Sequence, residues 1–87
     1  MSFTDFYVDR VNRFAIGKIN EVEKYYLTIP VRNTMIDYDE YYEIDQKTFE
    51  EFLNSPEKAL PFVDQCRKRE MDNLLILKLG SDRGDPI

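Results

Sequence analysis

Two periodicities divide this 87-residue chain. Before residue 45 apolar side chains recur mostly at every second position, the period of a strand; beyond it they recur at three- and four-residue intervals, the period of a helix. Phe3 to Val8 alternates weakly and predicts a short strand or its lead-in. Arg13-Phe14-Ala15-Ile16-Gly17-Lys18-Ile19 is rich in β-forming residues and ends at Asn20-Glu21. Lys24-Tyr25-Tyr26-Leu27-Thr28-Ile29 follows, so the pair predicts a β-hairpin. In its second arm Tyr25, Leu27 and Ile29 share one face, Tyr26 and Thr28 the other. Pro30 cannot donate to a ladder and is expected to end the arm or mark an edge. Val31 to Met35 then reads as a loop or crossing segment.

A third strand is predicted from Ile36 to Ile44. Its even positions carry Ile36, Tyr38, Glu40, Tyr42 and Ile44; its odd positions carry Asp37, Asp39, Tyr41 and Glu43, with Asp45 next in line. One face is mostly core-like and the other is nearly all carboxylate. Asp45 is placed to cap a helix beginning near Gln46, in which Phe49, Phe52 and Leu53 fall at i, i+3 and i+4 with Glu50 and Glu51 outward. Asn54-Ser55-Pro56-Glu57 supplies a stop and a new start, Ser55 as N-cap and Pro56 at the first helical position. Pro61 disfavours helix at Leu60, so a short turn is expected over Pro56 to Leu60 and the main helix over Pro61 to Glu70. That helix carries Phe62, Val63 and Cys66 inward and Arg67-Lys68-Arg69 at its end, where bases suit the macrodipole. Asp72-Asn73 turns the chain into a last strand, Leu74 to Leu79, whose near-continuous apolar character predicts a central or doubly covered position. Residues 80–87 read as a flexible C-terminal tail. The whole predicts one α+β domain over residues 1–79: an antiparallel sheet of about four strands with two short helices packed on one face.

Charge sharpens this picture. The formal net charge is −5 from 17 acidic and 12 basic side chains. Five carboxylates and no base lie between Asp37 and Asp45, so the remainder of the chain balances. Adjacent odd-position carboxylates on a strand stand about 6.8 Å apart, and each such pair costs roughly 0.6 kcal/mol in water. Folding alone does not reward that arrangement. A basic partner would, which makes Asp37, Asp39, Glu40, Tyr41, Glu43 and Asp45 the candidate binding residues, with Tyr41 as the apolar anchor. The same charges could equally be a solvated face that blocks edge-to-edge pairing. Acidity argues against nucleic acid or an anionic membrane as partner.

Catalytic chemistry is poorly supplied. The chain has no histidine, which removes imidazole-dependent mechanisms and the commonest zinc ligand. Carboxylate pairs Glu40/Glu43 or Glu50/Glu51 could serve an enzyme only inside a cleft. Asp37, Asp39 and Glu40 lack the spacing of a calcium loop. No cofactor or metal is expected. Cys66, the one cysteine, sits on an apolar helix face and reads as a small buried hydrophobe. Arg83-Gly84-Asp85 spells an integrin-binding tripeptide, here attributed to chance, and Gly80 to Gly84 could form an anion nest. The longest apolar run, Leu74 to Leu77, is far short of the roughly 20 residues a membrane helix needs. Met1 to Asp5 has no signal-peptide form, and with a lone cysteine this predicts a cytoplasmic protein.

The hairpin NRFAIGK and KYYLTIP, the strand IDYDEYYEID, the helix TFEEFLNSP and the ending KLGSDRGDP together resemble the small acidic immunity proteins that bacteria encode beside polymorphic or contact-dependent toxins. The resemblance covers most of the chain and lies in size, acidity and the absence of catalytic chemistry rather than in a diagnostic motif. It implies a non-enzymatic antitoxin, monomeric when free, that binds a cognate basic toxin domain, often a nuclease, and covers its active site. The alternative is a small structural or regulatory subunit that contacts a larger assembly through Leu74 to Leu79.

Overall fold

The computed structural model describes residues 2–34, 36–77 and 83–87. Alternating side chains in the first half of the chain build four antiparallel strands, β1 (Phe3–Asp9), β2 (Phe14–Ile19), β3 (Lys24–Arg32) and β4 (Asp37–Ile44), paired in that order. Two helices, α1 (Gln46–Asn54) and α2 (Leu60–Arg67), pack on one side of the sheet, giving the α+β architecture the periodicity predicts. A two-residue strand, β5 (Asp85–Pro86), pairs with the end of β3.

The core lies between the sheet and the helices. Phe14, Ile16, Leu27, Ile29, Val31, Tyr42 and Ile44 come from the strands, Phe49 and Phe52 from α1, and Val63 and Cys66 from α2. Leu53, grouped with Phe49 and Phe52 by spacing, stays exposed. In β1 a bulge at Phe6 turns both Phe6 and Tyr7 toward this side, where their rings meet Phe49 and Phe14. Asp45 accepts the Thr48 amide at 2.7 Å and so caps α1 as expected. A 3-10 turn, Pro56–Ala59, runs directly into α2, and Ser55 makes no side-chain cap bond there. Leu60 is helical despite preceding Pro61, because the proline sits in the first turn, where its missing donor costs nothing.

α2 ends at Arg67, not at Glu70. Glu70 N–H reaches Gln65 O and Arg69 N–H reaches Cys66 O, a Schellman closure with Arg69 in the left-handed region at φ 61°. Arg13, at the β1–β2 turn, is also left-handed at φ 57°. Of the basic trio, Arg67 lies in the last turn of α2 as the macrodipole favours and Lys68 pairs with Asp64 one turn back at 3.2 Å, while the two arginines also reach distant backbone. The Arg67 guanidinium donates to the Asn12 and Arg13 carbonyls, and that of Arg69 to the Gly84 carbonyl at 2.9 Å.

Four segments differ from the sequence reading. Of the two roles expected of Pro30 it does not end β3 but sits at a local edge: its carbonyl accepts from Ile87 N–H at 3.2 Å, so its ring nitrogen faces the flank where β2 has already stopped. Val31 and Arg32 are strand rather than loop, and Ile36, placed in the core by alternation, is 61% exposed beside the turn before β4. Leu74 to Leu77 is not a central strand. Asp72–Leu74 is a 3-10 turn, Leu75 bridges Tyr42, and Ile76 N–H reaches Tyr41 O at 2.9 Å, so the apolar run seals the outer edge of β4. A short apolar run cannot by its period tell a central strand from an edge seal. The rest of that predicted strand, Lys78 and Leu79, lies outside the described residues, as do 80–82 of the expected tail. Residues 83–87 are docked rather than frayed.

The sheet face away from the helices is closed by its own aromatic side chains. Phe3 stacks on Tyr41 at 4.1 Å, and Tyr26 meets both edge-on, at 5.3 and 5.1 Å. Tyr26 reaches across Gly17, its cross-strand partner, to donate to Asp5 at 2.5 Å. A Cβ at Gly17 would collide with the Thr4 carbonyl and the Tyr26 hydroxyl. Gly17→Ala is therefore expected to destabilise the fold by about 3 kcal/mol, against the modest gain usual for Gly→Ala in a strand. Urea denaturation measures this; a variant as stable as the parent would show that Tyr26 does not need the glycine.

Candidate functional site

Alternation along β4 divides its carboxylates between two environments. Glu40 joins Tyr38, Tyr42 and Ile44 on the helix side; Asp37, Asp39, Tyr41 and Glu43 face the other way. Glu40 and Glu43 thus cannot act as a pair, and Asp37, Asp39 and Glu40 do not converge on one cation. Among the described residues no group of three acidic or cysteine side chains is arranged to hold a metal. Glu50 and Glu51 lie on the exposed side of α1.

Glu40 is the clearest correction to the candidate list. Its side chain is 2% exposed and lies on the core side of the sheet, covered by Arg83, rather than on the acidic outer face. Arg83 donates to both of its oxygens at 3.0 Å and, from the same guanidinium, to both oxygens of Asp72 at 2.6 and 2.9 Å. Tyr42 Oη adds a bond at 2.8 Å. This fork binding two carboxylates is available to arginine and not to lysine. Arg83 holds Asp72 below the ordinary carboxylate range, and the two acids hold the guanidinium firmly charged. Burial first, then the hydrogen bond to Glu40 and its charge, push the Tyr42 hydroxyl upward. Burial chiefly, with Glu40 second, pushes the Cys66 thiol up to about 12, as befits an inert core residue. The arginine of the Arg-Gly-Asp tripeptide, which the sequence reading attributes to chance, is taken up inside the fold.

Three more candidates are engaged at home. Asp37 accepts Arg32 Nε at 2.6 Å and Nη2 at 3.2 Å across the β3–β4 pair, which lowers its pKa. Glu43 lies 3.5 Å from Lys24 Nζ. Asp45 is the α1 cap, and the Thr48 hydrogen bonds lower its pKa. Tyr41 is half-buried between Phe3 and Tyr26.

Asp39 is different. It stands opposite Pro30, forms no ion pair among the described residues, and shares a depression of about 370 Å³ with Asp5. Ala15 and Thr28 help floor that depression, and Arg10 and Arg13 stand at its rim without pairing to either acid. Partial burial, and then the Asp5 charge, raise the Asp39 pKa. Sequence reading missed Asp5, whose only signal would have been its register opposite Gly17, two strands from Asp39.

Comparison with protein-family models, curated proteins and solved structures finds no match to this chain. Among the described residues, no helix is long and apolar enough to cross a membrane.

Two outcomes test these assignments. Glu40→Gln strips the charge from a buried, bidentate pair and is expected to cost about 3–5 kcal/mol of stability; a loss below about 1 kcal/mol would show the pair to be solvated. Asp39 has a raised folded-state pKa, so the folded chain binds its proton more tightly than the unfolded one, and stability is lost as pH rises above its ordinary value of 3.8. Asp39→Asn should therefore melt higher than the parent at neutral pH, with the gap closing toward and below that value. A gap that is constant with pH would mean that charge is not the cause.

Proposed function

We propose that this chain is a non-enzymatic antitoxin of the immunity type, which neutralises a basic toxin domain by docking the helix-free face of its sheet over that domain's active site. The observation that carries the reading is the Asp5 and Asp39 pair, two carboxylates that folding holds in one depression with no ion pair of their own. A cation from a partner would relieve their repulsion on binding, and Phe3 and Tyr41 alongside supply aromatic area suited to an interface. Asp37 and Glu43, each already paired, contribute to the negative field at long range and less to contact. The acidic strand thus acts chiefly through Asp39, with Asp5 as the residue that joins it.

The alternative, a subunit that docks through Leu74 to Leu79, has less to recommend it, since among its described residues Leu74 and Leu75 pack against the core and Ile76 is bonded to β4. The test is stopped-flow association with an inactivated toxin domain encoded by the neighbouring reading frame. The rate should fall at least about tenfold between low and high salt. The Asp5→Asn/Asp39→Asn double variant should fold as well as the parent, bind far more weakly and lose most of the salt dependence. Unchanged affinity in that variant would overturn the site, and absence of any complex would overturn the function.

A further inference from the structure

The segment 83–87 sits in its groove as a recognised peptide does. Arg83 enters a cage of two carboxylates, Glu40 and Asp72, and is only 16% exposed there. Gly84 is buried, donates its N–H to Tyr38 Oη at 2.8 Å, and has no room for a Cβ, which would run into the Arg32 backbone. Asp85 pairs with Arg69 at 3.2 Å and with Arg32 in the ladder, and Pro86 pairs with Val31. Each position is read by a different device: a charge fork, a steric limit and a cation. Extended backbone pairing with an open sheet edge supplies the rest, the usual mode of strand addition.

From this we infer that the groove is a recognition site for an extended Arg-Gly-Asp segment, occupied in cis by the chain's own copy, and that a partner protein carrying such a segment engages it by exchange. Two features make exchange the route. Emptied, the groove would leave Glu40 buried without a cation, so only an incoming arginine can replace the outgoing one. Yet the segment is held by a ladder of only two residues, the Asp85 side chain is 94% exposed, and a depression of about 570 Å³ between Arg32, Thr34 and the segment gives an arriving chain a place to land. The occupant in cis lowers the apparent affinity by the fraction of time it is bound, which makes its release the step that sets access. This site is separate from the Asp5 and Asp39 face and stands or falls without it.

The experiment uses the full chain and an N-acetylated peptide of residues 83–87. In the isotope-labelled parent, excess unlabelled peptide should displace the labelled segment, moving the Gly84 amide to its free position while Asp5 and Asp39 resonances stay put. Gly84→Val, which expels the cis copy and with it the cation on Glu40, should melt lower than the parent, bind the same peptide saturably and recover melting temperature with it. Peptides with lysine for arginine, or valine for glycine, should bind that variant at least about tenfold more weakly. A Gly84 amide unmoved by millimolar peptide, or equal binding of the valine peptide, would overturn the proposal. So would a parent chain that dimerises with concentration by exchanging this segment, since the groove would then belong to a second copy.

Discussion

Glu40 carries a full negative charge on the side of the sheet that holds the core, and one end of the molecule is organised around making that tolerable. The Arg83 fork satisfies both of its oxygens, Asp72 shares the guanidinium from the solvent side, and Tyr42 turns its hydroxyl inward to the same carboxylate. Arg83 in turn places Gly84 under the Arg32 backbone and brings Asp85 and Pro86 alongside β3. The position of the last described residues is thus a consequence of one buried charge in the middle of β4. A buried ion pair of this kind contributes less to net stability than its geometry suggests, because desolvation offsets most of the attraction. Its effect is to fix which segment closes the sheet edge beyond the end of β2.

The opposite face follows a different rule. It has no helix to cover it, and it is closed instead by three aromatic rings lying across small residues. Gly17 permits Tyr26 to lie flat, Tyr26 positions Asp5, and Phe3 and Tyr41 complete the cover. Charge on this side is mostly neutralised within the sheet, by Arg32 and Lys24, which leaves Asp39 and Asp5 as the exception. A run of five carboxylates that looks like one negative surface in sequence is therefore five separate situations in space.

What could be read from the chain was what depends on neighbours in sequence. The alternation from Lys24 to Ile29 and from Asp37 to Ile44, the Asp45 cap and the Phe49 and Phe52 spacing all report on local geometry, and the sheet with two helices on one face followed from them. Sequence also put Glu40 among the inward positions, yet it remained a candidate for binding because nothing local supplies its counter-ion, which is 43 residues away. Distance along the chain likewise hid Asp5 from Asp39. Pro30 left two readings open, a strand end or an edge, for a related reason: whether a missing donor matters depends on which flank of the strand is occupied, and that is set by where β2 stops. The apolar run at Leu74 shows the same limit, since burial on two faces and closure of an edge leave similar traces in composition.

Cys66 lies at the meeting point of these arguments, on the inward face of α2 with its thiol kept in the protonated form by burial. A thiol in that state reacts only when the helix lifts from the sheet. The protein therefore carries a built-in reporter of its own breathing: the rate at which Cys66 is alkylated, compared with a free thiol, measures how often the layer of helices opens, independently of any partner and without a label being introduced.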